Sequence, residues 1–134
     1  MFLSSDSPIG DDLSYPTYYL GKFLKKLGFE VSTIDTDDIS SYDIIIFLDL
    51  PKKNDRFFYQ LKKYHKRLYL ILSESPLIRP ENWETKNHKV FKKVLVWNDE
   101  FVDSIKYFKF LIPTKIQTSF PLKSNKKLCT IISS

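Results

Sequence analysis

Three short apolar runs, each followed by polar residues, constrain the fold of this 134-residue chain more than any other feature. They cover residues 44–48 (IIIFL), 68–72 (LYLIL) and 93–97 (KVLVW). Uninterrupted apolar runs of this kind are typical of strands buried on both faces in a parallel sheet. Helical patterns lie between the runs, as parallel strands require. We therefore predict an α/β fold, a Rossmann-like parallel sheet with flanking helices.

The helix expected before the first run has recognisable ends. Ser14 and Pro16 are typical of a helix start, because serine caps well and proline is tolerated in the first turn. Apolar residues then recur at helical spacing, and a glycine follows where it can end the helix: Leu20, Phe23, Leu24, Leu27 and Gly28.

The remaining segments complete the predicted alternation of strands and helices. Strands or extended segments are predicted at residues 2–3, 30–34, 107–112 and 128–132. Helical segments are predicted from Asp55 onward, over residues 81–90, and from Asn98 or Asp99 to residue 105. Residues 116–125 are a linker by composition.

Composition excludes several classes of protein. Cys129 is the only cysteine, so no internal disulfide can form and a reducing compartment is the simpler interpretation. The apolar runs are far shorter than the ~20 residues of a membrane span. The first residues lack the basic and apolar regions of a signal peptide. We expect a cytoplasmic protein without a membrane span.

The formal charge of +5 is concentrated in one segment. Between Lys52 and Arg67 the chain carries seven lysines and arginines and one acidic residue, Asp55. This pattern predicts either the solvated face of an amphipathic helix or a weak contact with an anionic surface. A nucleic-acid partner is not expected, because no binding motif or aromatic-studded basic groove accompanies the charge.

Missing motifs disfavour several kinds of site. With only three glycines the chain has no G-x-G-x-x-G sequence and no P-loop, so any nucleotide it uses is not held by those devices. Cys129, His65 and His88 lack the spacing of zinc ligands. Asp35 and Asp37 form a D-x-D pattern that could bind a hard cation, but a solvated turn produces the same pattern. No metal is expected.

Glu74 is the residue that most resembles a catalytic group. It lies just beyond the run at residues 68–72, and Pro76 restricts the backbone that follows. The carboxyl ends of strands in an open α/β sheet are where ligands bind, and a partly desolvated carboxylate there is suited to general-base catalysis. A loop carboxylate that caps a helix or pairs with a lysine is the alternative.

Several segments are similar to one family. They are DDLSYPTYYLGKFLKKLG, YDIIIFLDLP, LILSESP and HKVFKKVLVWNDEFVD, and the final KKLCTIISS resembles a strand leading into a second domain. Together and in this order they resemble the amino-terminal half of the family 10 glycosyltransferases, the α-1,3/1,4-fucosyltransferases. The E-S-P element is the most specific piece.

The resemblance implies one half of a GT-B architecture, in which two Rossmann-like domains form an inverting transferase. In that family the carboxyl-terminal domain holds GDP-fucose, the donor substrate, while the amino-terminal domain receives the acceptor glycan. The E-S-P element supplies a carboxylate base, a role that falls on Glu74 here. The residues implied as acceptor contacts are Ser73, Ser75, Trp97, Asn98, Asp99 and Asp103, although Trp97 has the alternative of being a core residue.

The same resemblance implies a division of the chain. Residues 1–115 correspond to the acceptor-side domain, and residues 116–134 to a linker and first strand leading toward a donor-binding domain. We expect that domain to be missing and the chain to be inactive alone.

Two other interpretations stay open. One is a non-catalytic α/β module that binds a saccharide or a protein. The other is a response-regulator-like or nucleotide-binding protein, which would need an acidic phosphorylation pocket for which Asp49 is the only candidate.

Overall fold

A four-stranded, all-parallel sheet forms the centre of the computed structural model, which describes residues 14–52 and 62–112. The strands are β1 (Ile45–Leu48), β2 (Leu68–Ile71), β3 (Lys93–Val96) and β4 (Tyr107–Lys109). They lie in chain order across the sheet, with Leu48 beside Ile71 and Leu95 beside Phe108. The predicted α/β fold of Rossmann-like type is confirmed.

The core lies around the central strands. Leu68, Leu70 and Leu72 are fully buried, as are Val94 and Val96. β2 and β3 each pair with a strand on both sides, so most of their main-chain N–H and C=O groups form hydrogen bonds within the sheet. The prediction of strands buried on both faces is therefore confirmed for β2.

β1 departs from that prediction. Its residues alternate between buried and exposed, and Ile46 and Leu48 keep 38% and 43% of their surface accessible. Within the described residues β1 pairs with β2 alone, so it forms an edge of the sheet. Its apolar run reflects strand propensity more than burial on both faces.

The predicted amino-terminal helix is confirmed as α1 (Tyr15–Lys26). Ser14 occupies the N-cap position, but its side chain makes no capping bond. Gly28 has a φ of 90°, and the N–H of Phe29 donates to the carbonyl of Leu24, as in a glycine-terminated helix.

Several connecting segments differ from their predictions. Residues 30–34 form no strand: residues 30–33 have no regular structure, and a turn begins at Ile34, where the N–H of Thr36 donates to the carbonyl of Thr33. Residues 81–90 are two 3₁₀ helices, Pro80–Trp83 and Thr85–Val90, separated by extended backbone at Glu84. The turn after β3 is the short 3₁₀ helix Asp99–Phe101, and only residues 107–109 of the extended segment pair as β4.

Some predictions lie outside the described residues. They are the strands at residues 2–3 and 128–132, the linker at 116–125, and most of the helix from Asp55.

Candidate functional site

Polar residues from three segments meet at the carboxyl edge of the sheet. Asp49 follows β1, and Ser73 and Glu74 follow β2. The register places the ends of these two strands side by side, with Leu48 opposite Ile71. Trp97 follows β3, which lies next to β2. The predicted convergence of strand ends is therefore present.

Asp49 is the centre of this edge, although it is only 7% exposed. Its Oδ1 accepts hydrogen bonds from the N–H of Ser73 (2.8 Å), the N–H of Glu74 (3.2 Å) and Nδ2 of Asn82 (2.7 Å). Its Oδ2 accepts from the hydroxyl of Ser73 at 2.6 Å. All four donors are neutral groups, so hydrogen bonds stabilise the buried charge.

The backbone at Asp49 is also unusual. Its φ of 61° lies in the left-handed region, which aspartate tolerates better than bulky or β-branched residues do. This conformation ends β1 and lets the side chain reach the chain beyond β2. Because the carboxylate is already engaged by four donors, a phosphoacceptor role for Asp49 is disfavoured.

Asn82 connects Asp49 to the loop between β2 and β3. It is fully buried, and its Oδ1 accepts the N–H of Leu50 at 3.0 Å while its Nδ2 donates to Asp49. Arg79 supports the same turn by donating to the carbonyl of Leu50 at 2.8 Å. The amide of Asn82 therefore satisfies two groups at the end of β1.

His88 continues this polar network through the core. Its Nε2 lies 2.7 Å from the carbonyl of Asn82 and its Nδ1 lies 2.9 Å from the hydroxyl of Tyr107. The carbonyl can only accept, so Nε2 carries the proton and the Tyr107 hydroxyl donates to Nδ1. Burial lowers the pKa of His88, and the nearby charge of Lys106 lowers it further. The neutral imidazole is the form that fits.

Glu74 is half-buried, and among the described residues its backbone is hydrogen-bonded whereas its carboxylate is not. Its N–H donates to Asp49, and its carbonyl accepts from Nε1 of Trp83 at 2.9 Å. Within residues 14–52 and 62–112, no group donates to its carboxylate. The backbone of Glu74 is therefore anchored on both sides while its carboxylate remains available to a ligand.

Trp83 links the ends of β2 and β3. Its ring packs edge-on against Trp97, with centroids 5.1 Å apart, and against Phe101 at 5.4 Å. Trp97 keeps 38% of its surface exposed and lies outside the core, so the alternative of a core residue is wrong. The two predicted clusters are thus joined through a residue that the sequence analysis did not select.

The remaining predicted contacts are mostly engaged in local structure. Ser73 donates to Asp49, whereas the Ser75 side chain has no hydrogen bond among the described residues. Asn98 Oδ1 accepts the N–H of Glu100, and Asp99 pairs with Lys109 at 2.7 Å. Both interactions stabilise the turn after β3.

Asp103 lies in the loop that leads into β4. Its Oδ1 accepts three N–H groups at 2.8 Å, from Ile105, Lys106 and Tyr107. Those hydrogen bonds, with Tyr107 first, lower the pKa of Asp103. One of its oxygens is thus used in shaping the loop.

The described residues at the end of the basic segment, from Lys62 to Arg67, precede β2 and so lie away from this edge. Lys62, Lys63 and Lys66 are exposed, whereas Arg67 donates to the carbonyls of Ser40 and Tyr42. A cavity of about 280 Å³ lies beside them, before β2 and β3 begin, and is lined by His65, Lys66, Lys89, Val90, Phe91 and Lys92. It lies at the opposite edge of the sheet from Glu74.

The described residues also bear on the predictions about a metal site and a membrane span. No group of three or more His, Cys, Asp or Glu side chains in this part of the chain is placed to hold a metal ion. No helix here is long and apolar enough to cross a membrane.

Comparisons with protein-family models, with curated proteins and with solved structures gave no match.

The most important residues missed by sequence reasoning are Asn82, Trp83 and His88. All three lie in a segment interpreted as an ordinary short helix, where polar side chains are expected to face solvent. No spacing in the sequence marks them, because their partners are 33, 9 and 19 positions away along the chain. Asp49 carried a weak signal as the acidic residue directly after a strand.

Proposed function

We propose that this chain is the acceptor-side domain of an inverting glycosyltransferase of the fucosyltransferase type, with Glu74 as general base. The observation that carries the proposal is the state of Glu74 at the carboxyl edge of the sheet. Its backbone is held by Asp49 and Trp83, while its carboxylate has no partner among the described residues. A base needs this combination of fixed position and free acceptor atoms.

The proposed reaction follows from that arrangement and from the resemblance of the E-S-P element. Glu74 takes the proton of an acceptor hydroxyl as that oxygen bonds to the anomeric carbon of fucose. The bond from that carbon to the phosphate oxygen breaks on the opposite face, and GDP leaves with its electrons. GDP-fucose would be held by a second, donor-binding domain. No metal or cofactor is needed from this chain in the proposed step.

Acceptor contacts are proposed along the same edge. The hydroxyl of Ser75 and the exposed part of Trp97 are the groups freest to meet a sugar. Ser73, Asn98, Asp99 and Asp103 retain some hydrogen-bonding capacity besides their local bonds. Sugar recognition by an aromatic face and a few polar groups is a common arrangement.

The test is Glu74→Gln in the protein expressed from its complete gene. Transfer from GDP-fucose to N-acetyllactosamine and related glycans is expected to fall ~10²–10⁴-fold, the usual contribution of a positioned base, with donor affinity unchanged. Glu100→Gln is the matched control, because Glu100 is exposed and lies in the turn after β3. Its transfer rate is expected to stay within about twofold of wild type.

Two results would contradict the proposal. Unchanged turnover in Glu74→Gln would remove Glu74 from the mechanism. Glycan binding without any transfer by the protein expressed from its complete gene, detected by saturation-transfer NMR, would favour the non-catalytic binding module instead. Residues 1–134 alone are expected to bind the acceptor without turning over GDP-fucose.

A further inference from the structure

We propose that Asp49 is a positioning residue for Glu74 and that it acts through the backbone after β2. This inference rests on the function proposed above. Asp49 would not touch the acceptor, since its carboxylate is 7% exposed and is occupied by four donors. Its effect would be to set the direction in which the Glu74 side chain leaves the sheet.

Asp49 holds the backbone on the amino side of Glu74 through two hydrogen bonds to one oxygen. The N–H groups of Ser73 and Glu74 are consecutive, and both donate to Oδ1 of Asp49. Two consecutive N–H groups that converge on one atom restrict the rotation of the peptide between them. The position of the Glu74 Cα therefore depends on a side chain from the end of β1.

Trp83 holds the backbone on the carbonyl side of Glu74. Its carbonyl accepts from the indole N–H of Trp83, which packs against Trp97 and Phe101. The peptides before and after Glu74 are then both held by side chains of other segments. Only the side-chain torsions of Glu74 remain free to adjust to a substrate.

Beyond Glu74 the loop is held by hydrogen bonds more than by packing, since the N–H groups of Ile78 and Arg79 both donate to the carbonyl of Ser75. The residues after Pro76 are exposed, with Leu77 at 95% and Ile78 at 69% of their full accessibility. Packing therefore contributes little here, and hydrogen bonds carry most of the restraint. A displacement of about 1 Å in a catalytic group can cost ~10²-fold in rate.

The experiment compares three variants with a matched control. Asp49→Ala removes both oxygens that accept from Ser73 and Glu74, and we expect transfer turnover to fall ~10²-fold with little change in acceptor KM. Asp49→Asn keeps an oxygen for the N–H groups, and the Ser73 hydroxyl can rotate to accept from the new amide, so turnover should recover to within ~10-fold of wild type. Trp83→Phe removes one donor and should cost ~10-fold.

Asp38→Asn is the control. Asp38 accepts the N–H of Ser40 at 2.8 Å, so it also caps backbone with a carboxylate, but it is exposed and precedes β1. Because a loss of folded protein would also lower the apparent kcat without changing KM, turnover is expressed per folded protein, and Asp38→Asn is expected to keep wild-type turnover. Unchanged kcat in Asp49→Ala and Trp83→Phe, with Glu74→Gln inactive, would overturn the positioning role alone.

Amide hydrogen exchange provides a readout that does not depend on transfer. The amides of Ser73 and Glu74 are expected to lose protection in Asp49→Ala and to keep most of it in Asp49→Asn. If Asp49→Ala fails to fold, Asp49→Asn and Trp83→Phe decide by the same kcat and exchange measurements. Unchanged protection of Glu74 in every variant would overturn the proposal, whereas unchanged transfer in Glu74→Gln would overturn the proposed function.

Discussion

At the end of β2, side chains from other segments hold the backbone and leave the acidic group of Glu74 free. At the end of β3 the opposite holds, because Asn98 caps its own turn and Asp99 pairs with Lys109. Both clusters are short polar sequences after a buried strand. They differ in which groups are hydrogen-bonded: the main-chain groups of Glu74 after β2, and the side chains of Asn98 and Asp99 after β3.

This difference suggests how to distinguish a reactive carboxylate from a structural one. A structural carboxylate uses its own oxygens to satisfy nearby N–H groups, as Asp49 and Asp103 do. A carboxylate available for chemistry needs its loop held by something else. Glu74 fits the second description among the described residues, whereas Asp49, Asp99 and Asp103 fit the first.

The strongest test of the comparison replaces the asparagine that supports each strand end. Asn82→Ala leaves the N–H of Leu50 without its partner and removes one donor from buried Asp49. We expect a loss of about 2–6 kcal/mol in the free energy of unfolding, at ~1–3 kcal/mol for each of the two buried groups that lose a partner. Asn98→Ala removes only an exposed cap and should cost about 0.5 kcal/mol. Urea denaturation of both variants measures the difference, and equal losses would contradict it.

The pH dependence of stability should distinguish the network around His88 from the loop after β3, where Asp103 lies. Burial holds the pKa of His88 below its ordinary 6.5, so the unfolded chain binds this proton at higher pH than the folded chain does. The contribution of His88 is complete above pH 6.5 and is lost as the pH falls toward the folded pKa, by at most ~1.4 kcal/mol per pH unit. His88→Gln should flatten urea-denaturation stability between pH 7 and about 5.

Asp103 provides the contrast after β3. Its hydrogen bonds lower its pKa below 3.8, so its contribution is present above that pH and is lost only as the pH falls through the lower folded value. Asp103→Asn should therefore lower stability by a constant amount between pH 7 and about 5, without changing the slope that His88 causes there, and should remove the pH dependence in stronger acid. A changed slope between pH 7 and about 5 in Asp103→Asn would show that the two networks are coupled.

The smallest expected effect is that of the ion pair after β3. The Asp99 side chain is 84% exposed, and its Oδ1 lies 2.7 Å from Nζ of Lys109. Asp99→Asn should lower the free energy of unfolding by less than ~0.5 kcal/mol, because solvent and salt screen exposed pairs. Urea denaturation at low and high salt measures this effect. A loss above ~1 kcal/mol would show that charge, more than packing, holds this strand end.

Much of the fold was predictable because it depends on short-range patterns. Apolar runs bounded by polar residues located β1, β2 and β3, and glycine marked the end of α1. The predicted strand at residues 30–34 was wrong, because an apolar pattern does not show whether a segment will hydrogen-bond to a neighbouring strand. Ser32 and Ile34 lie close to Ile45, yet residues 30–34 join no strand of the described sheet. β4 was visible only as an extended segment for the same reason.

The sequence alone determined that Glu74 stands directly after a buried strand, at the edge where parallel sheets bind ligands. Only the tertiary structure decided that its backbone is held and its carboxylate is not. That outcome depends on Asp49, Asn82 and Trp83, whose contacts with the loop span 9 to 33 residues of chain. Side-chain hydrogen bonds over such separations leave no periodic signal, because they depend on register and turn geometry rather than on local propensity.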